Sequence, residues 1–155
     1  MNRWSSKRDT CLLSDCLLVT NTVHSQLTRD STLLKVCAVG SRPPFHIQQT
    51  LLAGVSKKLV AYCLVHSGFC TANYEVLRMF MSWVIDRKVM KGSQETLTQA
   101  WMFGARFVIP TFQNCVIREL VRCLHGHKIR ASAVNEAHCG GPKFAPLQKA
   151  FIWHI

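Results

Sequence analysis

Several things are scarce in this chain, and each scarcity removes a class of function. The longest fully apolar run, residues 59–65, is far shorter than the ~20 residues a membrane-spanning helix needs. No Gly-rich phosphate loop and no paired-carboxylate motif occurs, so phosphoryl transfer and acid–base hydrolysis have no signature here. No CxxC pair occurs despite eight cysteines. Acidic residues are few: 8 Asp and Glu stand against 19 Lys and Arg, for a formal net charge of +11. The excess is spread, with +1 over residues 1–30, +4 over 31–85, +3 over 86–124 and +3 over 125–155, and no run of like charge exceeds a pair. Nucleic-acid binders concentrate charge on one face or in a tail, so nucleic acid is not the expected partner. Near the N-terminus Arg3, Lys7 and Arg8 precede an apolar stretch over 11–19, but Asp15 interrupts it and no small-residue cleavage site follows cleanly. Cys37, Cys63, Cys115 and Cys123 lie inside apolar runs, where free cysteine behaves as a small buried hydrophobe. The expectation is a soluble intracellular protein, nuclear or cytoplasmic, with reduced thiols and no membrane partner.

What is present suffices for a fold. At 155 residues, 48% hydrophobic and 17% charged, the chain fits one folded domain with one core. Residues 1–30 are polar, lack useful periodicity, and read as a flexible leader. Residues 33–39 are β-prone and end in the turn signal Gly40-Ser41-Arg42-Pro43, after which Phe45-His46-Ile47-Gln48 alternates like a returning strand. A helix is expected over 49–53 with Leu51 and Leu52 inward, then a second apolar segment over 57–65 capped by Ser56, with Gly54 making the break. A short strand is expected around Phe69-Cys70. Tyr74, Leu77, Phe80, Met81 and Val84 then define an amphipathic helix with Thr71 or Asn73 as its cap. Val89-Met90 reads as another short strand, and Ser93 starts the next helix.

Residues 97–124 carry the clearest pattern. Leu97, Ala100, Trp101, Gly104 and Phe107 recur at spacings of three and four, the period of one buried helical stripe. Pro110 disfavours helix at Ile109 and starts a second helix, which lines up Phe112, Val116, Leu120 and Leu124 with Cys115 and Cys123 beside them.

Four stretches, in this order, resemble the BTB/POZ domain in the divergent form common in fungal proteins. Residues 39–56 (VGSRPPFHIQQTLLAGVS) are similar to the family's second strand and first helix, and residues 76–89 (VLRMFMSWVIDRKV) to its helix ending in a Trp-Leu-Tyr-x-Gly-like sequence. Residues 97–120 are similar to its closing helix pair, with Leu-x-x-x-Trp-x-x-Gly and Ile-Pro-x-x-Gln-Asn signatures, and residues 144–155 (FAPLQKAFIWHI) to a segment that often follows the domain. The resemblance implies an α+β fold, a helical cluster flanked by a small sheet of about three strands, over residues 31–125, with residues 126–155 as an extension carrying a short helix. It implies a non-catalytic protein–protein interaction module without a cofactor. Its partner would be a second copy or another BTB protein, or a cullin scaffold of a ubiquitin ligase. The dimer surface would map onto Leu33, Val36, Leu51, Leu52 and Val55, and the partner-facing surface onto Tyr74, Met79, Met81 and Phe112. Ser31-Thr32 and Gln48-Gln49 stand where the family has an Asp and a His-Lys pair, so its charged repressor pocket is not expected here.

Two other classes compete. Cys123, His125 and His127, with His138-Cys139 downstream, offer zinc-ligand chemistry but not the paired spacing of standard zinc modules. A small zinc-binding or nucleic-acid-associated helical domain is therefore the alternative. Cys63 or Cys70 with His66 as base would be the enzyme reading, yet the apolar run around Cys63 raises a thiol pKa and no acidic residue stands near to orient the base.

Overall fold

Alternation of apolar and polar side chains builds the first element. In the computed structural model, which describes residues 32–40, 43–68, 72–139 and 145–153, strand β1 (Leu33–Val36) buries Leu34 and Val36 and turns Leu33 and Lys35 outward. Strand β2 (Phe45–Gln48) returns antiparallel, with Leu33 opposite Gln48 and Val36 opposite Phe45. Among the described residues the sheet has these two strands, where about three were expected. Val89-Met90 joins no ladder; its half-buried side chains pack against the helical core instead. The expected Phe69-Cys70 strand and the 1–30 leader lie outside the described residues. On either side of that strand position, Gly68 C=O accepts from Cys37 N–H at 2.7 Å and Ala72 C=O from Val39 N–H at 3.1 Å.

Helix α1 (Gln49–Val55) follows β2 without a loop and buries Leu51 and Leu52. The break comes at Ser56, whose backbone is extended at φ −154°; Gly54 lies inside the helix. Ser56 is 5% exposed and its hydroxyl works twice. It accepts from Leu59 N–H at 3.1 Å, capping helix α2 (Lys57–Val65), and donates to Phe107 C=O at 2.8 Å. One hydroxyl thus starts a helix and ties the front half of the chain to a residue 51 positions on.

Helix α3 (Tyr74–Asp86) starts as its cap predicts: Asn73 Oδ1 accepts from Val76 N–H at 2.9 Å, and Glu75 sits at the positive end of the helix dipole. It buries Val76, Leu77, Met79, Phe80, Met81, Trp83 and Val84, more than one stripe, because partners cover it on several sides. Helices α4 (Gln94–Arg106) and α5 (Pro110–Gly126) form the closing hairpin, started by Ser93 and Pro110. All five stripe residues of the first arm and all four of the second are buried. A Cβ on Gly104 would lie 2.7 Å from Gln113 Cγ and 3.2 Å from the Phe112 ring, so α5 side chains fill the space a larger residue would take.

Beyond the hairpin stand two helices, α6 (Ala131–Cys139) and α7 (Ala145–Ile152), where one was expected. They bury Ala133, Ala137, Leu147 and Phe151 in the same core as the rest. Gln94 holds the connection to α6: its Nε2 donates to Lys128 C=O at 2.9 Å and its Oε1 accepts from Arg130 N–H at 2.8 Å. The architecture is α+β, seven helices around a two-stranded antiparallel hairpin among the described residues. No helix among them is long and apolar enough to cross a membrane.

Gly68, in the turn after α2, has φ +84°, and a Cβ there would sit 2.2 Å from the Lys35 carbonyl oxygen. Gly68→Ala is therefore expected to cost about 3 kcal/mol, combining left-handed backbone strain with overpacking against a strand carbonyl. Denaturant unfolding checks this; a loss below 1 kcal/mol would mean that β1 and the end of α2 move apart freely.

Candidate interaction surface

The structure divides the expected surface residues into two groups. On the sheet side, Leu33 is 61% exposed and Val55 is half-buried, but Val36, Leu51 and Leu52 lie in the chain's own core. Their inward position follows from strand alternation and from the inward face of α1. On the helix side, Tyr74 stays half-buried with its ring stacked on Phe45 at 5.2 Å. Met79, Met81 and Phe112 are 2%, 7% and 0% exposed, so they are framework and not free surface. Met81 is buried as a member of the amphipathic stripe, and Met79 because α3 is enclosed on more sides than that stripe suggests. Phe112 is buried because it packs edge-on against Phe80 at 5.3 Å and beside Trp83 at 5.1 Å.

An open cleft of about 1050 Å³ lies where the start of α3, the end of α4 and the start of α5 meet. Val76, Met102, Phe103 and Pro110 give it apolar walls, and Asn73, Gln99 and Gln113 bring amides. Among the described residues two cations line it, Lys58 and Arg106, and no carboxylate does. The Arg106 guanidinium lies over the Tyr62 ring at 5.2 Å and the Phe107 ring at 5.6 Å, which fixes where its charge is presented. Gln99 accepts from Asn73 Nδ2 and donates to Glu136 Oε1 at 2.7 Å.

The lip of this cleft carries Val39 and Val108, 64% and 66% exposed. Val108 also has a left-handed backbone, φ +57°. It terminates α4: Val108 N–H donates to Ala105 C=O at 3.3 Å and Ile109 N–H to Gly104 C=O at 2.8 Å, the paired bonds of a Schellman ending. Glycine normally fills that position, since a β-branched residue there is a steric outlier. The Ile109-Pro110 dipeptide announces the end of a helix, but nothing in the sequence marks Val108 as left-handed.

At the opposite end of the helices the character changes. The loop 87–93 and the segment 127–130 are joined through Gln94 and bear Arg87, Lys88, Lys91, Lys128 and Arg130. Glu95 offsets one of them, lying 3.5 Å from Arg130 Nη1. The Ser132 hydroxyl, donating to Glu95 Oε1 at 2.7 Å, and the residue's own backbone N–H hold its carboxyl at about 2, with smaller help from Ser93 and Arg130.

Among the described residues the competing constellations do not assemble. Among the described residues no three His, Cys, Asp or Glu side chains are placed to hold a metal ion. His125 and His127 are exposed at the end of α5, where His127 Nδ1 lies 3.1 Å from Cys123 C=O, and His138 and Cys139 are exposed on α6. Cys123 is half-buried, and burial with the nearby Glu119 charge pushes its thiol pKa up, against thiolate formation. Cys63 is fully buried, whereas His66 is exposed at the end of α2 with its ring 4.2 Å from Tyr62. Cys70 lies outside the described residues.

Two outcomes are expected. Val108→Gly should stabilise the fold by about 1 kcal/mol, because relief of left-handed strain outweighs the added entropy of the unfolded chain; thermal unfolding reads this directly. The Glu95 carboxyl binds its proton more weakly in the folded than in the unfolded chain, so its stabilisation is complete above about pH 4.3 and fades as pH falls toward 2. Glu95→Gln should therefore melt below the parent at neutral pH, and the gap should close across that acidic window. No protein-family model matches the chain, and no curated protein matches it in sequence.

Proposed function

We propose that the chain is a non-catalytic protein–protein interaction module of BTB/POZ type, acting through homo- or hetero-oligomerisation. One observation carries this: the order of the described elements. An antiparallel hairpin is followed by two short helices, a central helix with Trp83 buried near its end, and a helical hairpin. In that hairpin Trp101 and Gly104 stand on the first arm and Pro110 begins the second. The four stretches that resemble the family follow the same order. Cullin adaptor binding is the finer form of the proposal. Tyr74 is its accessible candidate, since Met79, Met81 and Phe112 are taken up by the core. For oligomerisation the accessible candidates are Leu33 and Val55. A nucleic-acid-associated domain is the second reading, favoured by the basic residues of loop 87–93 and segment 127–130.

Mass in solution across concentration tests the proposal. A dimer is expected, and Leu33→Glu should dissociate it with an unchanged melting temperature, because Leu33 contributes little to the monomer core. Leu51 and Leu52 are unsuitable for this test, since polar groups there would unfold the chain. A strictly monomeric chain that retains no cullin in a binding assay refutes the proposal. Binding to random DNA that weakens steeply with salt would support the second reading instead.

A further inference from the structure

The cleft at the Val108 end of the helices has no role in the oligomer reading, and three of its properties need a common explanation. Its walls at Val76, Met102 and Phe103 are apolar, yet one side stands open. Among the described residues that line it the charged groups are Lys58 and Arg106, and no carboxylate is present. Its lip carries a valine in the left-handed backbone region, which a β-branched side chain strains. Val108 is 66% exposed, so no core packing offsets that strain. The Schellman ending needs the left-handed backbone but not the valine side chain, since glycine would serve there without the strain; a strained residue of this kind is characteristic of positions held for a contact with something else.

We propose that this cleft docks an acidic, amphipathic peptide segment of a different protein. The segment lays apolar side chains against Val76, Met102, Phe103 and Val108 and brings carboxylates to Lys58 and Arg106. The volume, about 1050 Å³, stands at the top of the range that encloses a small-molecule ligand, and the open side admits a continuing chain. Charge decides the identity of the partner. A second copy brings the same excess of positive charge, and this chain's own N-terminal stretch is nearly neutral, +1 over residues 1–30 with its three Asp residues standing singly. No two acidic residues of the chain stand closer than six positions, the separation of Asp9 and Asp15, so it offers no acidic cluster of its own. Arg106, seated on the Tyr62 and Phe107 rings, presents its charge in a fixed place, which lowers the ordering cost of a carboxylate contact.

A phage-displayed library of random peptides selected on the folded full chain tests this, with a recovered peptide then labelled for fluorescence anisotropy. Recovered peptides should carry at least two Asp or Glu residues around a Leu, Ile, Phe or Trp. Lys58→Glu should weaken binding about tenfold and make its dependence on salt shallower, because the screened attraction is lost. Val108→Gly should weaken it severalfold while raising the melting temperature, a combination that a purely structural role cannot produce. Leu33→Glu should leave peptide affinity unchanged, which separates this site from the oligomer surface. The proposal is overturned if no peptide is recovered, or if those recovered lack acidic residues. Equal binding by the Lys58→Glu and Val108→Gly variants, or loss of binding with Leu33→Glu, overturns it as well.

Discussion

The helices are held in register by a chain of ring contacts centred on Phe80. Its ring lies 5.1 Å from Phe103, 5.3 Å from Phe112 and 6.1 Å from Trp83, and Trp83 in turn lies 5.1 Å from Phe112. The chain continues through Phe103 and Phe107 at 4.8 Å to Tyr62 at 5.4 Å, so α2, α3, α4 and α5 are joined through one material. Aromatic pairs of this kind add about 0.5–1.5 kcal/mol each beyond the area they bury. Their larger effect is geometric, because flat rings accept few arrangements. Once Phe80 is fixed, the crossing of α3 with the closing hairpin is fixed, and with it the cleft that opens where the rings end.

Much of this was legible in the sequence, and the parts that were not share a cause. Caps are local chemistry: Asn73, Ser93, Ser56 and Pro110 start helices because a side chain or a fixed φ satisfies the first turn, and each does so as its position suggests. Stripes are nearly local, and the buried lines of α4 and α5 follow their periods. What periodicity cannot express is how many neighbours a helix has. Met79 stands off the single stripe of α3, yet it is buried, because the enclosure comes from elements far away in the chain. Helix α6 was not legible either, since its buried residues are two alanines, Ala133 and Ala137, which give almost no hydrophobic signal. The extended Val89-Met90 segment looked like a strand because β-prone side chains mark extended backbone whether or not a ladder partner exists.

The basic balance also gains a distribution that composition alone conceals. One end of the helices gathers Arg87, Lys88, Lys91, Lys128 and Arg130 on two adjoining connections. The other end has two cations beside an apolar cleft. The first is a diffuse, solvated field whose influence falls away within about 10 Å at moderate salt. The second pairs charge with hydrophobic area, the combination that gives an interface both orientation and affinity.

Gln94 illustrates how differently two neighbouring residues answer to their surroundings. Its amide donates to one carbonyl and accepts from one N–H, so the joint between α5 and α6 is held without any formal charge. A carboxylate of the same length could keep only half of that joint and would face the Lys128 carbonyl with like polarity. The next residue, Glu95, reports the acidity of the medium through its depressed carboxyl pKa. The turn into α6 is therefore built from one fastening that ignores proton and salt concentration and one that responds to both. Acid loosens the outer fastening first and leaves the inner one shut.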